Sequence, residues 1–166
     1  NISDLSVFGI GVANNGGGTD GQEYTFPSIS VNAGEHIMLA RDTVDLGTYF
    51  GSCWSVFHHV LAGDNSISQN GDDAIELFEN GIVIETFGDV NVDGTGQPWE
   101  YMDSWAWKDT AASNVGNWIY GGVNCSDGSS SMQTSSCPYP LCGVAPPSAG
   151  GCNYVIDMQD SWGDGW

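Results

Sequence analysis

The segment Asp89-Val-Asn91-Val-Asp93-Gly94-Thr95-Gly96-Gln97-Pro98-Trp99-Glu100 has the residue types and the spacing that bind a hard divalent cation. It satisfies D-x-[DN]-x-[DN]-G-x5-E at every position. Side-chain oxygens at alternate positions of a coiled loop, here Asp89, Asn91 and Asp93, converge on one centre, and Gly94 permits the sharp turn between them. Thr95 offers its backbone carbonyl, Gln97 can hold a water, and Glu100 can close the shell with two oxygens. Asp103 is a further ligand candidate close by. The flanks do not suit a helix–loop–helix unit, because a β-rich segment precedes the loop and Pro98 lies inside it. The expectation is a calcium loop without its usual helices. The plainer alternative is an acidic, glycine-punctuated loop whose side chains cap its own amides. Asn70-Gly-Asp72-Asp73 and the pair Asp160/Asp164 read as turn formers.

Other chemistry has less support. Four cysteines, Cys125, Cys137, Cys142 and Cys152, crowd a Gly/Ser/Pro-rich stretch, while Cys53 stands alone upstream. Clustered in this way they read as a disulfide staple. None is spaced as C-x-x-C, and His36, His58 and His59 are far away in sequence, which argues against zinc. The simplest pairing joins Cys125 to Cys137 and Cys142 to Cys152 and leaves Cys53 free in the core, although four cysteines allow three connectivities. His58 and His59 fall in an apparent strand, where neighbouring rings point to opposite faces and do not share a metal. No serine sits in a nucleophile elbow. Asp72-Asp73 and Glu76/Glu85 have the chemistry of a glycosidase acid/base pair, but a solvated strand face explains them more simply. Trp99, Trp105, Trp107 and Trp118 fit a sugar platform or a packed core, and core is the expectation. Asn14 to Gly21 is a glycine-rich loop without the lysine or the strand-to-helix setting of a phosphate cradle. Asn1 and Asn124 head glycosylation sequons.

Charge narrows the possible partners. Twenty-one acidic residues face two basic ones, Arg41 and Lys108, for a formal net charge of -19. Nucleic acid binding by phosphate neutralisation has almost no cations to use, and an anionic membrane repels such a chain. No apolar run approaches the roughly 20 residues of a spanning helix. Hydrophobic residues make up 40% of the chain and seven are Trp, so a packed core rather than disorder is expected. The dense carboxylates and clustered cysteines both suit a secreted, extracellular setting.

The elements that must hold these residues are strands. Helical periodicity is nearly absent, and short alternating or β-branched runs dominate. Candidate strands are Leu5 to Val12, Glu23 to Ile29, His36 to Ala40, Trp54 to Val60, Ala74 to Phe78, Val83 to Phe87 and Trp118 to Gly121. Their spacing argues for an all-β sandwich. Asn80-Gly81 predicts a tight hairpin between the fifth and sixth, with Ile75 and Leu77 on a buried face and Glu76 on a wet one. Residues 122–151 read as a stapled loop and linker. Cys152 onward starts a fresh strand, Asn153 to Asp157, which lacks a hairpin mate. The chain opens on Asn1 rather than Met and is read as processed or partial, stopping inside its last module.

Laid out in this way, the chain resembles the lamin-tail domain family in its secreted form. The likeness rests on Glu23-Tyr-Thr-Phe-Pro27, on Val31-Asn-Ala-Gly34-Glu-His-Ile-Met-Leu39, and above all on Asn70-Gly-Asp-Asp-Ala-Ile-Glu-Leu77 followed by Ile82-Val-Ile-Glu-Thr-Phe-Gly88, with Trp105-Ala-Trp-Lys108 where the family has a basic, apolar segment. It implies an immunoglobulin-like β-sandwich over residues 1–121 with no activity of its own. Residues 122–151 are then a disulfide-stapled extension, and 152–166 are the start of a second β module or an assembly strand. The functional expectation is a non-catalytic structural or adhesive module, stabilised by calcium, whose partners are copies of itself, joined into filaments by strand addition, or other extracellular surface proteins. An accessory domain of a secreted nuclease or protease is the alternative.

Overall fold

The computed structural model describes residues 1–109, 117–141 and 158–160. Nine strands and one short helix are seen among them, and most of the pairing is antiparallel. β1 (Phe8–Ala13), β2 (Tyr24–Thr25), β5 (Ala74–Glu79) and β6 (Ile82–Phe87) form a four-stranded sheet in the order β2-β1-β5-β6. β3 (His36–Ala40) and β4 (Phe57–Ala62) form a parallel pair. β7 (Ser104–Asp109) lies between β8 (Asn117–Tyr120) and β9 (Met158–Asp160) in a third sheet.

Local chemistry explains the main departures from the expected strands. Leu5–Val7 is a 3-10 turn rather than strand, because the Asp4 carboxylate accepts from the Ser6 amide and fixes a cap there. A parallel pair needs a long crossover, and between β3 and β4 that crossover contains the helix α1 (Thr43–Phe50) and a 3-10 turn, Gly51–Val56. The helix begins where Asp42 Oδ1 accepts from the amides of Val44 and Asp45, each at 2.9 Å. Gly47 inside it breaks the apolar period, so helical patterning is weak in this stretch. β1 keeps Ile10 and Val12 in the core. Gly9 and Gly11 on its other face let residues 21–24 lie directly against the backbone, where any side chain would collide.

The Asn80-Gly81 hairpin forms with both residues at positive φ, 52° and 76°. The wet face expected for the strand before it does not exist. Glu76 is buried, because the 14–21 loop folds over that face and the Thr19 hydroxyl donates to Glu76 Oε1 at 2.9 Å. Glu85 is paired with Lys108 across to β7.

Two apolar clusters meet at β7. Met38, Leu46, Tyr49, Phe50, Cys53, Phe57 and Tyr139 form one, with Trp54, Trp105 and Trp107 packed against it. Ile10, Ile75, Leu77, Phe87, Tyr101 and Ala106 form the other, with Trp99 and Trp118 against it. Alternation along β7 sends Ala106 to one cluster and its two Trp neighbours to the other. The four candidate platform tryptophans therefore pack against cores.

The staple is present in part. Cys125 and Cys137 are bonded, and the Trp105 indole donates to the Cys137 carbonyl at 2.8 Å, fastening this loop to β7. Cys53 is buried but is not a free thiol: it too is disulfide-bonded, and its partner is neither Cys125 nor Cys137, which hold each other. A lone upstream cysteine in the first core reads as a spare thiol only when the fold that brings a second sulfur to it is unknown. Cys142 and Cys152 lie outside the described residues, as does the expected strand Asn153 to Asp157. The next residues, Met158–Asp160, pair with β7 of the same chain, Ser104 opposite Asp160. No helix among the described residues is long and apolar enough to cross a membrane.

Candidate functional site

The Asp89–Glu100 loop leaves the end of β6 and returns to the buried Tyr101 as a run of tight turns. Val92 N donates to Asp89 O, Gln97 N to Gly94 O and Glu100 N to Gln97 O, at 3.0, 2.8 and 3.1 Å. Its carboxylates reinforce those turns. Asp89 Oδ1 accepts from the Asn91 amide at 3.0 Å, Asp93 Oδ1 from the Thr95 amide at 2.9 Å, and Glu100 Oε2 from the Gly96 amide at 2.6 Å. The Thr95 amide is the main reason the Asp93 carboxyl is held below its ordinary 3.8. Asn91 Oδ1 faces Gly18. Each cap occupies one oxygen of its carboxylate.

Two segments brace the loop from outside. Gly94 N donates to the Asp72 carbonyl at 2.9 Å, and the Thr95 hydroxyl donates to Asp72 Oδ2 at 2.8 Å. On the other side Gly18 N donates to Val90 O at 2.7 Å. Gly16, at φ 72°, packs so tightly that a Cβ there would sit 2.6 Å from the Asp93 nitrogen. Asp73 ties these braces together. It is 1% exposed, and its two oxygens accept separately from the Asn15 amide at 2.7 Å and the Asn70 amide at 3.1 Å. Burial raises its pKa above 3.8 against the pull of those amides, and the charges of Asp72 and Asp93 push it the same way.

Asp89, Asn91, Asp93, Thr95, Gln97 and Glu100 thus share one compact loop, with Asp72 and Asp73 beside it. The backbone carbonyl of Asp103, the further ligand candidate, accepts from the Ser126 amide and hydroxyl at 2.9 and 2.6 Å. Among the described residues no three His, Cys, Asp or Glu side chains stand together as a ready metal cage. The donors around the loop are all oxygens, the set that hard cations such as calcium prefer. Sequence reasoning missed Asp72 and Asp73 as members of this site. Their Asn-Gly-Asp-Asp run was read as a turn, and only the fold shows that the turn abuts the loop.

The histidines lie apart from this region. His58 Nδ1 accepts from the His36 amide at 3.2 Å and the two rings stack at 6.3 Å, while His59 Nε2 lies 3.1 Å from Glu35 Oε2. Burial, and then the charge of His58, lowers the His36 pKa. Asn1 and Asn124, the sequon asparagines, are exposed. Comparison of this chain with family models, with curated proteins and with solved structures finds no match.

Proposed function

We propose that the chain is a non-catalytic structural module of the extracellular space, of the lamin-tail, immunoglobulin-like kind, in which calcium locks the Asp89–Glu100 loop to its two braces. The observation that carries this reading is the all-oxygen Asp89–Glu100 loop braced by the Asp72 carbonyl and carboxylate, beside a buried Asp73 whose carboxyl pKa is pushed up first by burial and then by the charges of Asp72 and Asp93. A cation held nearby would offset those charges. Asp89, Asn91, Asp93, Thr95, Gln97 and Glu100 would hold the ion, with Asp72 as a further oxygen donor. Bound calcium would supply positive charge among these oxygens. The chain's own residues fix the turns by the amide caps of Asp89, Asp93 and Glu100, each of which uses one carboxylate oxygen. The disulfides of Cys53 and of Cys125–Cys137 support an oxidising setting.

Thermal melts with calcium and with chelator test the proposal. A ligand that binds only the folded chain at about 100 times its dissociation constant adds roughly 2.7 kcal/mol. Glu100→Gln and Asp72→Asn should each shrink that gain. Equal midpoints with and without calcium in the parent chain would remove the cation from the account.

A further inference from the structure

β3 and β4 form a parallel pair that no third strand joins among the described residues, so each tie between the two counts. Their register slips at the start. His36 lies opposite Phe57 and Ile37 opposite His59, which leaves His58 as one extra residue in β4. At this slip the His36 amide donates to Nδ1 of the extra residue at 3.2 Å, and the two imidazoles stack with centroids 6.3 Å apart. A ring nitrogen that accepts carries no proton, so His58 in this contact is neutral with its hydrogen on Nε2. The next residue, His59, makes a second tie, its Nε2 lying 3.1 Å from Glu35 Oε2 just before β3.

Proton uptake acts on the two ties in opposite senses. An imidazolium has two donors and no acceptor, so protonated His58 cannot hold the His36 amide, and its charge lies against the second ring. At His59 the same event turns a hydrogen bond into a charge pair with Glu35. Glu35 is pulled down to about 2, first by the Asn32 side chain and then by the Asn32 amide and His59, so it stays ionised while histidines titrate. Burial, and then the charge of His58, lowers the His36 pKa. The contribution of neutral His36 to stability is therefore whole above the ordinary 6.5 and is lost as pH falls through the lowered value. No charge other than that of His58 contributes to this shift. The helix α1, packed against both strands, brings Asp45 and Tyr49, the turn after it brings only the bonded Cys53, and Arg41 and Asp42 follow β3 at its far end. We propose that the His36–His58 contact is an acid-released clasp, in which neutral His58 fastens the start of β3 to β4 and its protonation frees that end while the His59–Glu35 tie holds. The freed end lies beside Phe57, where β4 leaves the first core. The clasp uses none of the calcium-loop residues, and its readout is separate from the calcium melts.

The test is NMR of the full chain labelled with nitrogen-15, at pH values between about 8 and 5, the span in which histidines change charge. Exchange of the His36 amide with water, divided by that of an unprotected amide at the same pH, reads the bond. Protection of about tenfold is expected at the alkaline end, equivalent to roughly 1.4 kcal/mol, and should vanish at the acid end. The ring nitrogens of neutral His58 should report the hydrogen on Nε2. His58→Ala should remove the protection at every pH, whereas His59→Gln should leave both the protection and its loss in acid unchanged. The ring measurement and the pH series on the parent chain decide the matter if His58→Ala fails to fold. Equal protection at both ends of the range overturns the proposal, as does a neutral His58 with its hydrogen on Nδ1. An alanine variant that still loses protection in acid, or a glutamine variant that no longer does, overturns it by moving the response to another group.

Discussion

Replacing Asp73 by alanine removes one buried carboxylate and leaves two amides, those of Asn15 and Asn70, without their acceptors. An amide left unsatisfied in a protein interior costs about 1–3 kcal/mol, so two of them amount to roughly 2–6 kcal/mol. Against this stands relief of a charge that burial already disfavours. A net loss of about 2–4 kcal/mol is expected, and at about 2–4 °C per kcal/mol for a chain of this length the midpoint should fall by roughly 4–16 °C. Asp73→Asn keeps one acceptor oxygen and should lose about half as much. The pH dependence has a definite sign. The folded-state pKa of Asp73 is raised, so its contribution to stability is complete below the ordinary 3.8 and is lost as pH rises through the raised value. The gap between the parent chain and the alanine variant should therefore narrow from acid toward neutral pH. Urea melts of both proteins in chelator, at several pH values, measure that gap. A variant within about 0.5 kcal/mol of the parent, which is the range of an ordinary surface substitution, would refute the accounting. A gap that widens with rising pH would refute the sign.

The Glu35 carboxyl, pulled down to about 2 first by the Asn32 side chain, then by the Asn32 amide and His59, favours the fold above the ordinary 4.5 and loses that contribution as pH falls toward 2. Asn32→Ala should raise its titration midpoint, read by carbon NMR of the side chain, and an unmoved midpoint would exclude Asn32 as the main cause. Opening the Cys125–Cys137 bond by the paired change of both residues to serine should cost about 3 kcal/mol, the chain-entropy value for a loop of this size. Denaturant titration measures it, and an unchanged midpoint would show that the Trp105 hydrogen bond and packing hold the loop alone. Gly16→Ala should destabilise the chain by roughly 1–3 kcal/mol through its positive φ and its collision with the Asp93 backbone. Gly21→Ala, also at positive φ but in open space, should cost less, and equal losses in calorimetry would argue against the collision.

What could be read from the chain alone follows the range over which each signal acts. The Asn80-Gly81 hairpin was legible because turn chemistry is local, and β3 was found with its bounds intact because His36–Ala40 is a short apolar run between breakers. β7 was missed. Ser-Trp-Ala-Trp-Lys does alternate, but its large residues serve one core and its alanine another, a division that exists only once both cores are assembled. α1 was missed because Gly47 interrupts its period, while the Asp42 cap that starts it is a weak signal in a chain with so many aspartates. Glu76 was assigned to water because alternation reports that two faces differ. It cannot report that a glycine-rich loop will cover the second. The calcium-like spacing was visible, whereas the braces from Asp72, Asp73 and the 14–18 segment depend on contacts between residues dozens of positions apart.

The place of β1 has a consequence for how the chain is made. Phe8–Ala13 is central to its sheet, yet all six of its rungs to β5 reach residues Ala74–Glu79. During synthesis at about 5–20 residues per second, the strand emerges several seconds before its principal neighbour exists. Through that interval Ile10 and Val12 have only the two-residue β2 to lie against within the sheet, and the later pairing must close a loop containing β3, α1 and β4. Closure entropy grows only slowly with length, but non-local pairing of this kind is slow to find. The order in which residues appear, rather than the strength of the finished sheet, sets how long this apolar strand is open to misplaced partners.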